Sequence, residues 1–138
     1  MFKRILVATD GSAVIEREVL YAEHLARVEQ AEIIVLHAYE PPARYESYPG
    51  YDQLCEDYRA VAQAVVDDAV SELGEYGIPA QAELRLGPAA EAIVAAAAAH
   101  DVGLIIMGTR GSSNLQEMLG SVSAQVLRYA HCPVLQVP

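Results

Sequence analysis

The sequence is short of basic residues and of sulfur. Its 138 residues include nine lysines and arginines against nineteen aspartates and glutamates, which gives a net charge of −10. Because clusters of basic side chains are needed to neutralise a nucleic-acid backbone, this balance disfavours a nucleic-acid partner. The two cysteines, Cys55 and Cys132, show no metal-ligand spacing. We therefore expect reduced thiols rather than a disulfide or a metal site.

Long apolar runs are also missing. None approaches the roughly 20 residues that a membrane-spanning helix needs. The chain opens with a basic and then apolar stretch, residues 1–7, but Asp10 and Gly11 interrupt it. A secretory signal would need an apolar region of about 7–15 residues. We expect a cytoplasmic protein without a membrane partner, and a length of this order predicts a single domain, residues 1–138.

There is one lysine in the chain, Lys3, and no Gly-Lys-Ser/Thr motif. The P-loop mode of phosphate binding is therefore excluded. Any phosphate would have to be held by backbone amides, a helix N-terminus, an arginine or a divalent cation such as Mg²⁺.

Short apolar runs alternate with helical patterns along the whole chain. This alternation predicts an α/β fold, a doubly wound open parallel sheet of five strands with helices on both faces. The strand at 81–86 alternates polar and apolar residues, as a half-buried edge strand does. Strands are expected at 3–9, 33–36, 81–86, 104–107 and 134–137, and helices at about 12–29, 53–76, 88–99 and 121–130.

Several residues receive a structural interpretation at this stage. Ser12 is expected to cap the first helix, and Glu16, Glu18 and Glu23 to lie on its solvated face. His37, at the end of the second strand, is expected to be a core or rim residue rather than a catalytic one. The tyrosine-bearing loop at 40–52 is expected to cover the crevice or a partner surface.

Two loops follow strands one and four and contain glycine with polar residues. In a doubly wound sheet, ligands bind beyond the carboxyl ends of the strands, where the strand order reverses. If the order is 3-2-1-4-5, the turn at 9–12 and the loop from Gly108 face the same crevice. The second loop leads from a strand through glycines to a helix beginning near Gly120, a layout that presents backbone amides to phosphate. We therefore expect an adenine nucleotide to bind there.

Individual residues of these loops allow more than one interpretation. Asp10 can accept hydrogen bonds from ligand hydroxyls, help to hold a metal, or simply fix a turn. Arg110 can pair with a phosphate or stay solvated. Gly108 and Gly111 allow close approach of the backbone or a positive φ, and equally could form a bare turn.

The serines at the start of the last helix also have two interpretations. Ser121 and Ser123 can donate hydroxyl hydrogen bonds where the helix dipole favours anions. Alternatively, Ser121 only caps the helix. No nucleophile–base pair and no metal-ligand cluster at a diagnostic spacing is found in the sequence.

At this point the sequence resembles a known family, the universal stress proteins, over essentially the whole chain. The resemblance is carried by Ile-Leu-Val-Ala-Thr-Asp-Gly-Ser at 5–12, Leu-His-Ala at 36–38, Met-Gly-Thr-Arg-Gly at 107–111, Gly-Ser-Val-Ser at 120–123 and His-Cys-Pro-Val at 131–134. The family's ATP-binding members place nine residues between the second and third glycines of their motif. Here residues 112–119, eight in number, separate Gly111 from Gly120.

The resemblance implies a Rossmann-like fold of the adenine nucleotide alpha hydrolase type and a stress-response regulatory protein that binds ATP with Mg²⁺ and is not an enzyme. It implies a homodimer through the last strand, Val134–Val137, an apolar edge that needs cover. Mg²⁺ would be held through the nucleotide phosphates, with Asp10 as the candidate protein ligand. The implied nucleotide contacts are Ala8, Thr9, Asp10 and Ala38 near the adenine, Met107, Gly108, Arg110 and Gly111 along the ribose and phosphates, and Gly120, Ser121, Val122 and Ser123 at the phosphate site.

Three functions remain open from the sequence. The first is the ATP-binding regulator. The second is a slow ATPase on the same scaffold, in which a bound metal and positioned phosphates would permit hydrolysis. The third is an interaction module that binds no nucleotide, or binds AMP or cyclic AMP, and the eight-residue spacing favours this third function.

Overall fold

The computed structural model describes residues 1–109 and 120–138, and predictions made for Arg110 and Gly111 lie outside these residues. Within these described ranges, five strands alternate with four helices and one short 3-10 turn over Ala43–Tyr45. The strands are β1 Arg4–Ala8, β2 Glu32–Tyr39, β3 Ala80–Leu86, β4 Leu104–Gly108 and β5 Val134–Val137, and the helices are α1 Ile15–Glu29, α2 Tyr51–Glu75, α3 Ala89–Ala99 and α4 Ser121–Tyr129.

The five strands form one parallel sheet in the order β3-β2-β1-β4-β5, which confirms the predicted topology. In register, Ala8 at the end of β1 lies between Leu36 of β2 and Met107 of β4. The strand order reverses between β1 and β4, so the ends of these two strands form the crevice at which doubly wound sheets bind ligands.

Each face of the sheet has its own hydrophobic core. On one face α1 and α2 pack on Ile5, Val7 and Ile106; on the other α3 and α4 pack on Leu6, Leu36 and Ile105. The strands β1 and β4 are therefore buried on both sides, as the apolar runs in the sequence predict. Among the described helices, none combines the length and the apolar character needed to cross a bilayer.

Two helix predictions need correction, one in where the helix begins and one in how much of its apolar stripe is buried. The first helix begins at Ile15 instead of Ser12, because Ser12 and Ala13 accept hydrogen bonds from Ile15 and Glu16 in tight turns before it. Ser12 therefore does not cap the helix with its side chain. In α2 the predicted apolar stripe is buried at Ala69 and Leu73, but Val61 is 67% exposed, so the stripe does not contact the core along its whole length.

The expectation that Glu18 lies on a solvated helix face is wrong. Its side chain is 0% exposed and lies on the buried side of α1 with Val19 and Ala22. The reason is helical spacing: with 3.6 residues per turn, residue 18 follows Ile15 by three and precedes Ala22 by four, so it belongs to the stripe that faces the sheet.

Candidate functional site

A cavity of about 280 Å³ opens at the carboxyl ends of β1 and β4. It lies where the strand order reverses, and its walls come from β1, β2, β4 and the first turns of three helices. Most of its lining is apolar, with a few polar groups near the helix termini, as is common in small-molecule sites. The lining residues are Ala8, Thr9, Asp10, Val14, Leu36, Ala38, Ala89, Ile93, Met107, Gly108, Gly120, Ser121, Val122 and Ser123.

The turn after β1 is held by hydrogen bonds around Thr9. The Thr9 amide donates to the carbonyl of Leu36 at 2.9 Å, and the Thr9 hydroxyl accepts from the amide of Gly11 at 3.1 Å. The Thr9 carbonyl accepts from His37 Nδ1 at 2.7 Å. This contact fixes the proton on Nδ1 when the ring is neutral, since a carbonyl oxygen can only accept. His37 is thus a half-buried rim residue that helps to position the turn.

Asp10 is exposed at the mouth of the cavity. Its Oδ1 accepts from the amide of Ser12 at 2.9 Å, which is the turn-forming role considered for it. The second carboxylate oxygen leaves room for a ligand hydroxyl, so the turn-forming and ligand-binding roles are compatible. Gly11, with φ of +84°, adopts the left-handed conformation that this turn requires.

The opposite wall is the start of α4. Its N-cap is Gly120, so Ser121 is the first helical residue and does not cap the helix. The Thr109 carbonyl accepts from the Gly120 amide at 2.9 Å and from the Ser123 hydroxyl at 2.5 Å. Ser123 is buried and its hydroxyl is used to connect β4 to α4, whereas Ser121 is exposed. The first backbone amides of α4 have no intrahelical partner and are available to an anion beside the cavity.

Gly108 is needed for packing and not for a positive φ. Its φ lies outside the left-handed region, which corrects one of the two expectations for this residue. A Cβ at this position would lie 2.9 Å from Val14 Cγ1, closer than side chains normally approach. The glycine therefore allows the first turn of α1 to lie against the end of β4, and Val14 and Gly108 together form one wall of the cavity.

Behind this wall lies the buried carboxyl group of Glu18. Its Oε1 would be 3.7 Å from a Cβ placed on Gly108, and neither of its oxygens has a hydrogen-bond partner in the described part of the chain. The pKa of Glu18 is raised to about 8, chiefly by burial and also by the nearby Asp10 carboxylate, while the Gly108 amide acts in the opposite direction. The sequence had placed this group in solvent.

The described residues do not form a metal site of their own. In residues 1–109 and 120–138, no three His, Cys, Asp or Glu side chains lie together as metal ligands. Asp10 is a single carboxylate with one oxygen already bonded to an amide. Since a hard cation takes several oxygen ligands, this donor set alone does not fit a resident Mg²⁺.

The structure brings most of the predicted nucleotide contacts together around one cavity. These are Ala8, Thr9, Asp10, Ala38, Met107, Gly108, Gly120, Ser121, Val122 and Ser123. Arg110 and Gly111 lie outside the described residues. The sequence interpretation missed the apolar lining from Val14, Leu36, Ala89 and Ile93. Leu36 could have been inferred, because it lies two residues before Ala38 on the same face of β2.

Comparison with known proteins agrees with this geometry. The sequence matches the universal stress protein family over residues 1–138. It is 38% identical over 139 residues to a universal stress protein of Thermus aquaticus, with 99% of both chains covered.

Solved structures show the same fold. The protein MJ0577 of Methanocaldococcus jannaschii superposes with a TM-score of 0.88 at 29% identity, covering 99% of this chain and 96% of that one. A universal stress protein in complex with cAMP superposes with a TM-score of 0.77 at 26% identity, covering 99% and 97%. On sequence and fold together, the chain belongs to the universal stress protein family.

Proposed function

We propose that this protein binds an adenine nucleotide, ATP carried with Mg²⁺, in the cavity between the ends of β1 and β4, and that it acts in the stress response through the occupancy of this site. The observation that carries the proposal is the convergence of the residues named from the sequence. Two loops nearly 100 residues apart in the chain, at Thr9–Asp10 and Gly108, line one cavity together with the start of α4.

The lining residues of the cavity differ in chemistry, and this difference supports a proposed placement for each part of a nucleotide. Leu36, Ile93 and Met107 supply apolar surface suited to a purine ring, close to the main chain of Ala8 and Ala38. The start of α4, from Gly120 to Ser123, offers backbone amides and the positive end of a helix dipole to the phosphates. The free oxygen of Asp10 is placed for a ribose hydroxyl or a base amine.

Mg²⁺ would enter this site with the nucleotide. Because the described residues do not form a metal site, phosphate oxygens and water would supply its ligands. A divalent cation would also reduce the repulsion between a polyphosphate and a protein of net charge −10.

The polar groups around the cavity favour binding over catalysis. The hydroxyls of Thr9 and Ser123 are both engaged with backbone groups, and Asp10 is engaged with the Ser12 amide. The Thr9 and Ser123 hydroxyls position the two loops, and the remaining oxygen of Asp10 is the one proposed to accept from the ribose or the base. That leaves none of these three residues to take a proton from a water molecule, as a general base must. We therefore rank a slow ATPase below a binding protein.

A second candidate ligand is an adenosine monophosphate, AMP or cyclic AMP. It is favoured by the complex with cAMP formed by a structural neighbour that shares 26% identity with this chain. It requires less compensation of phosphate charge than ATP does, in a chain with one lysine. The site is the same in both cases, so the two ligands can be compared by competition.

The proposed assembly is a homodimer formed through β5. This strand lies at the end of the sheet and pairs with β4 on one side. Val134, Leu135 and Gln136 are partly exposed. An open edge of this kind is stabilised when a second strand pairs with it.

The deciding experiment is calorimetric titration of the purified protein with ATP, ADP, AMP, cyclic AMP and GTP, with and without Mg²⁺. We expect saturable binding of adenine nucleotides and little binding of GTP. Mass spectrometry of small molecules released from freshly purified protein would identify the natural ligand. Absence of heat and of a thermal shift with every adenine nucleotide would reject the proposal.

A matched pair of glycine variants locates the site. Gly120→Val should abolish binding, because the side chain would occupy the phosphate end, while φ of −62° at this residue suits any amino acid and the fold should persist. Gly74→Val is the control, since no atom lies within 4 Å of the Cβ position there and the residue is remote from the cavity. Unchanged affinity in Gly120→Val would show that the phosphates lie elsewhere.

A further inference from the structure

Glu18 is a fully buried carboxyl group directly behind the wall of the nucleotide cavity. Its side chain is 0% exposed, and both oxygens lack hydrogen-bond partners within residues 1–109 and 120–138. Oε1 would lie 3.7 Å from a Cβ on Gly108, whose main chain lines the cavity. The Glu18 carboxyl group thus lies against a residue, Gly108, that itself lines the cavity. Buried polar groups normally have partners, so this one calls for an explanation.

The groups around Glu18 offer it little compensation. The inward faces of β1, β4 and α2 on this side of the sheet are apolar, with Val7, Ile106 and Val66 in the same core. The turn after β1 presents Asp10, which is a second acid. From β2, His37 Nδ1 contacts the Thr9 carbonyl. Arg17, the residue before Glu18 in α1, donates to the carbonyl of Pro138. Within residues 1–109 and 120–138, the charged groups nearby are therefore either acidic or engaged elsewhere, and the Gly108 amide offers the carboxyl group partial compensation.

We propose that Glu18 determines the charge preference of the nucleotide site: its carboxyl group must be uncharged when a phosphate-bearing ligand occupies the cavity, so that binding to the form in which Glu18 is ionised takes up one proton from water. This inference rests on the proposed function. In a protein interior an unscreened carboxylate and a nearby phosphate repel each other more strongly than they do in water. Holding the proton on Glu18 removes one of the two charges.

The charge of the ligand then decides how strongly Glu18 acts. The affinity for adenosine, which is uncharged, should not depend on whether Glu18 is protonated. Cyclic AMP carries a single charge that does not change between pH 6 and pH 9, so its affinity depends on whether Glu18 is protonated, and the same requirement holds for ATP. Glu18 would thus make the site favour an uncharged nucleoside over phosphate-bearing nucleotides in alkaline solution and admit the nucleotides at lower pH.

The size of the effect follows from linkage. A carboxyl group with a pKa of about 8 in the free protein is mostly protonated at pH 7 and mostly ionised at pH 9. If the bound state requires the protonated form, the affinity falls about tenfold between these two values, because only the protonated fraction can bind. The affinity for adenosine should not follow this curve.

The experiment measures the dissociation constants of cyclic AMP, ATP and adenosine between pH 6 and pH 9 for three proteins: wild type, Glu18→Gln and Glu16→Gln. Glutamine reproduces the shape of a neutral Glu18 and cannot ionise. We expect Glu18→Gln to match the wild type near pH 6 and to bind cyclic AMP about tenfold more tightly at pH 9. Glu16 is exposed on the same helix, so Glu16→Gln makes the same charge change in solvent and should keep the wild-type curve.

The outcomes separate the two proposals. If none of the three ligands binds at any pH, the proposed function fails. If cyclic AMP binds but wild type and Glu18→Gln show parallel pH curves, the role of Glu18 is rejected and the nucleotide site stands. Equal pH dependence for adenosine and cyclic AMP would also reject it.

A direct measurement on the wild-type protein does not depend on how well the variant folds. Carbon-13 NMR of the Glu18 carboxyl group should show a titration midpoint near 8 that moves upward when cyclic AMP is added. A midpoint in the ordinary range for glutamate, or one that cyclic AMP leaves unchanged, would overturn the inference.

Discussion

Replacing Glu18 with glutamine should make the protein more stable at alkaline pH and leave its stability at acid pH less affected. Glu18 has an ordinary pKa of 4.5 in the unfolded chain and a pKa raised to about 8 in the folded protein, chiefly because burial disfavours its charged form. Between these two values the folded state holds one proton more than the unfolded state. Stability therefore falls as the pH rises through this window, and it levels off above about pH 8.

The magnitude follows from the size of the pKa shift. Each pKa unit corresponds to about 1.4 kcal/mol of differential stability. From pH 5 to pH 8 the wild type should lose about 4 kcal/mol that Glu18→Gln does not lose. Other groups also titrate in this range, and glutamine itself is a buried polar group. Both contributions are removed when only the pH dependence of the difference between the two proteins is considered.

Urea denaturation of both proteins at each pH unit from 5 to 9 measures this difference. We expect the free energy of unfolding of Glu18→Gln, relative to wild type, to rise by about 1.4 kcal/mol per pH unit up to pH 8 and then to remain constant. Glu16→Gln, an exposed residue on the same helix, should show a difference independent of pH. A flat difference for Glu18→Gln would mean that its carboxyl group is ionised in the folded protein.

Three further predictions concern the rest of the site and the sheet edge. Gly108→Ala should destabilise the protein by about 1–3 kcal/mol and weaken nucleotide binding, because its Cβ would lie 2.9 Å from Val14 Cγ1. The control is Gly74→Ala, which has open space at its Cβ and should be neutral or stabilising in the same denaturation and titration experiments. Ser123→Ala should cost about 1 kcal/mol in the ligand-free protein, since the hydroxyl connects α4 to the Thr109 carbonyl; unchanged stability would leave ligand contact as its role. Sedimentation velocity should show a dimer that Gln136→Pro converts to monomer, because proline removes an edge amide from β5; a wild-type monomer at all concentrations would reject the dimer.

The fold could be predicted from the sequence because each element carries its own periodicity. The apolar runs at Ile5–Ala8 and Leu104–Met107 indicate strands buried on both faces, and the intervening helices require parallel crossovers. The strand order could be predicted from the chemistry of the loops as well as from topology, since the two loops with glycine and polar residues can form one binding site only if β1 and β4 are neighbours. Helix ends were less predictable, because the turns between Ser12 and Glu16 form before the regular helix begins.

The residues of the candidate site also fall into two groups, those that the sequence could identify and those that it could not. Residues in the two loops could be named because turns and glycine-rich segments carry local signals. The contributions of Ala89 and Ile93 could not, since these residues belong to α3 and reach the cavity only through the packing of that helix on the sheet. For Gly108 the sequence identified the residue correctly but not the reason, because the conflict with Val14 arises between segments far apart in the chain.

Glu18 shows where residue type and position give opposite predictions. As a glutamate preceded by Glu16 and Arg17 it is predicted to be a surface residue, yet it lies on the same helical stripe as Val19 and Ala22 and is buried with them. Position decides burial here, and the result is an acid that weakens the folded state above the pH at which the free side chain ionises. Together, the two Glu18 experiments distinguish an effect on stability alone from a role in nucleotide binding. If the stability difference rises with pH while nucleotide affinity does not change, Glu18 is only a destabilising core residue. If the affinity begins to fall at the same pH at which the stability difference levels off, the proton that stabilises the fold is the proton that nucleotide binding takes up.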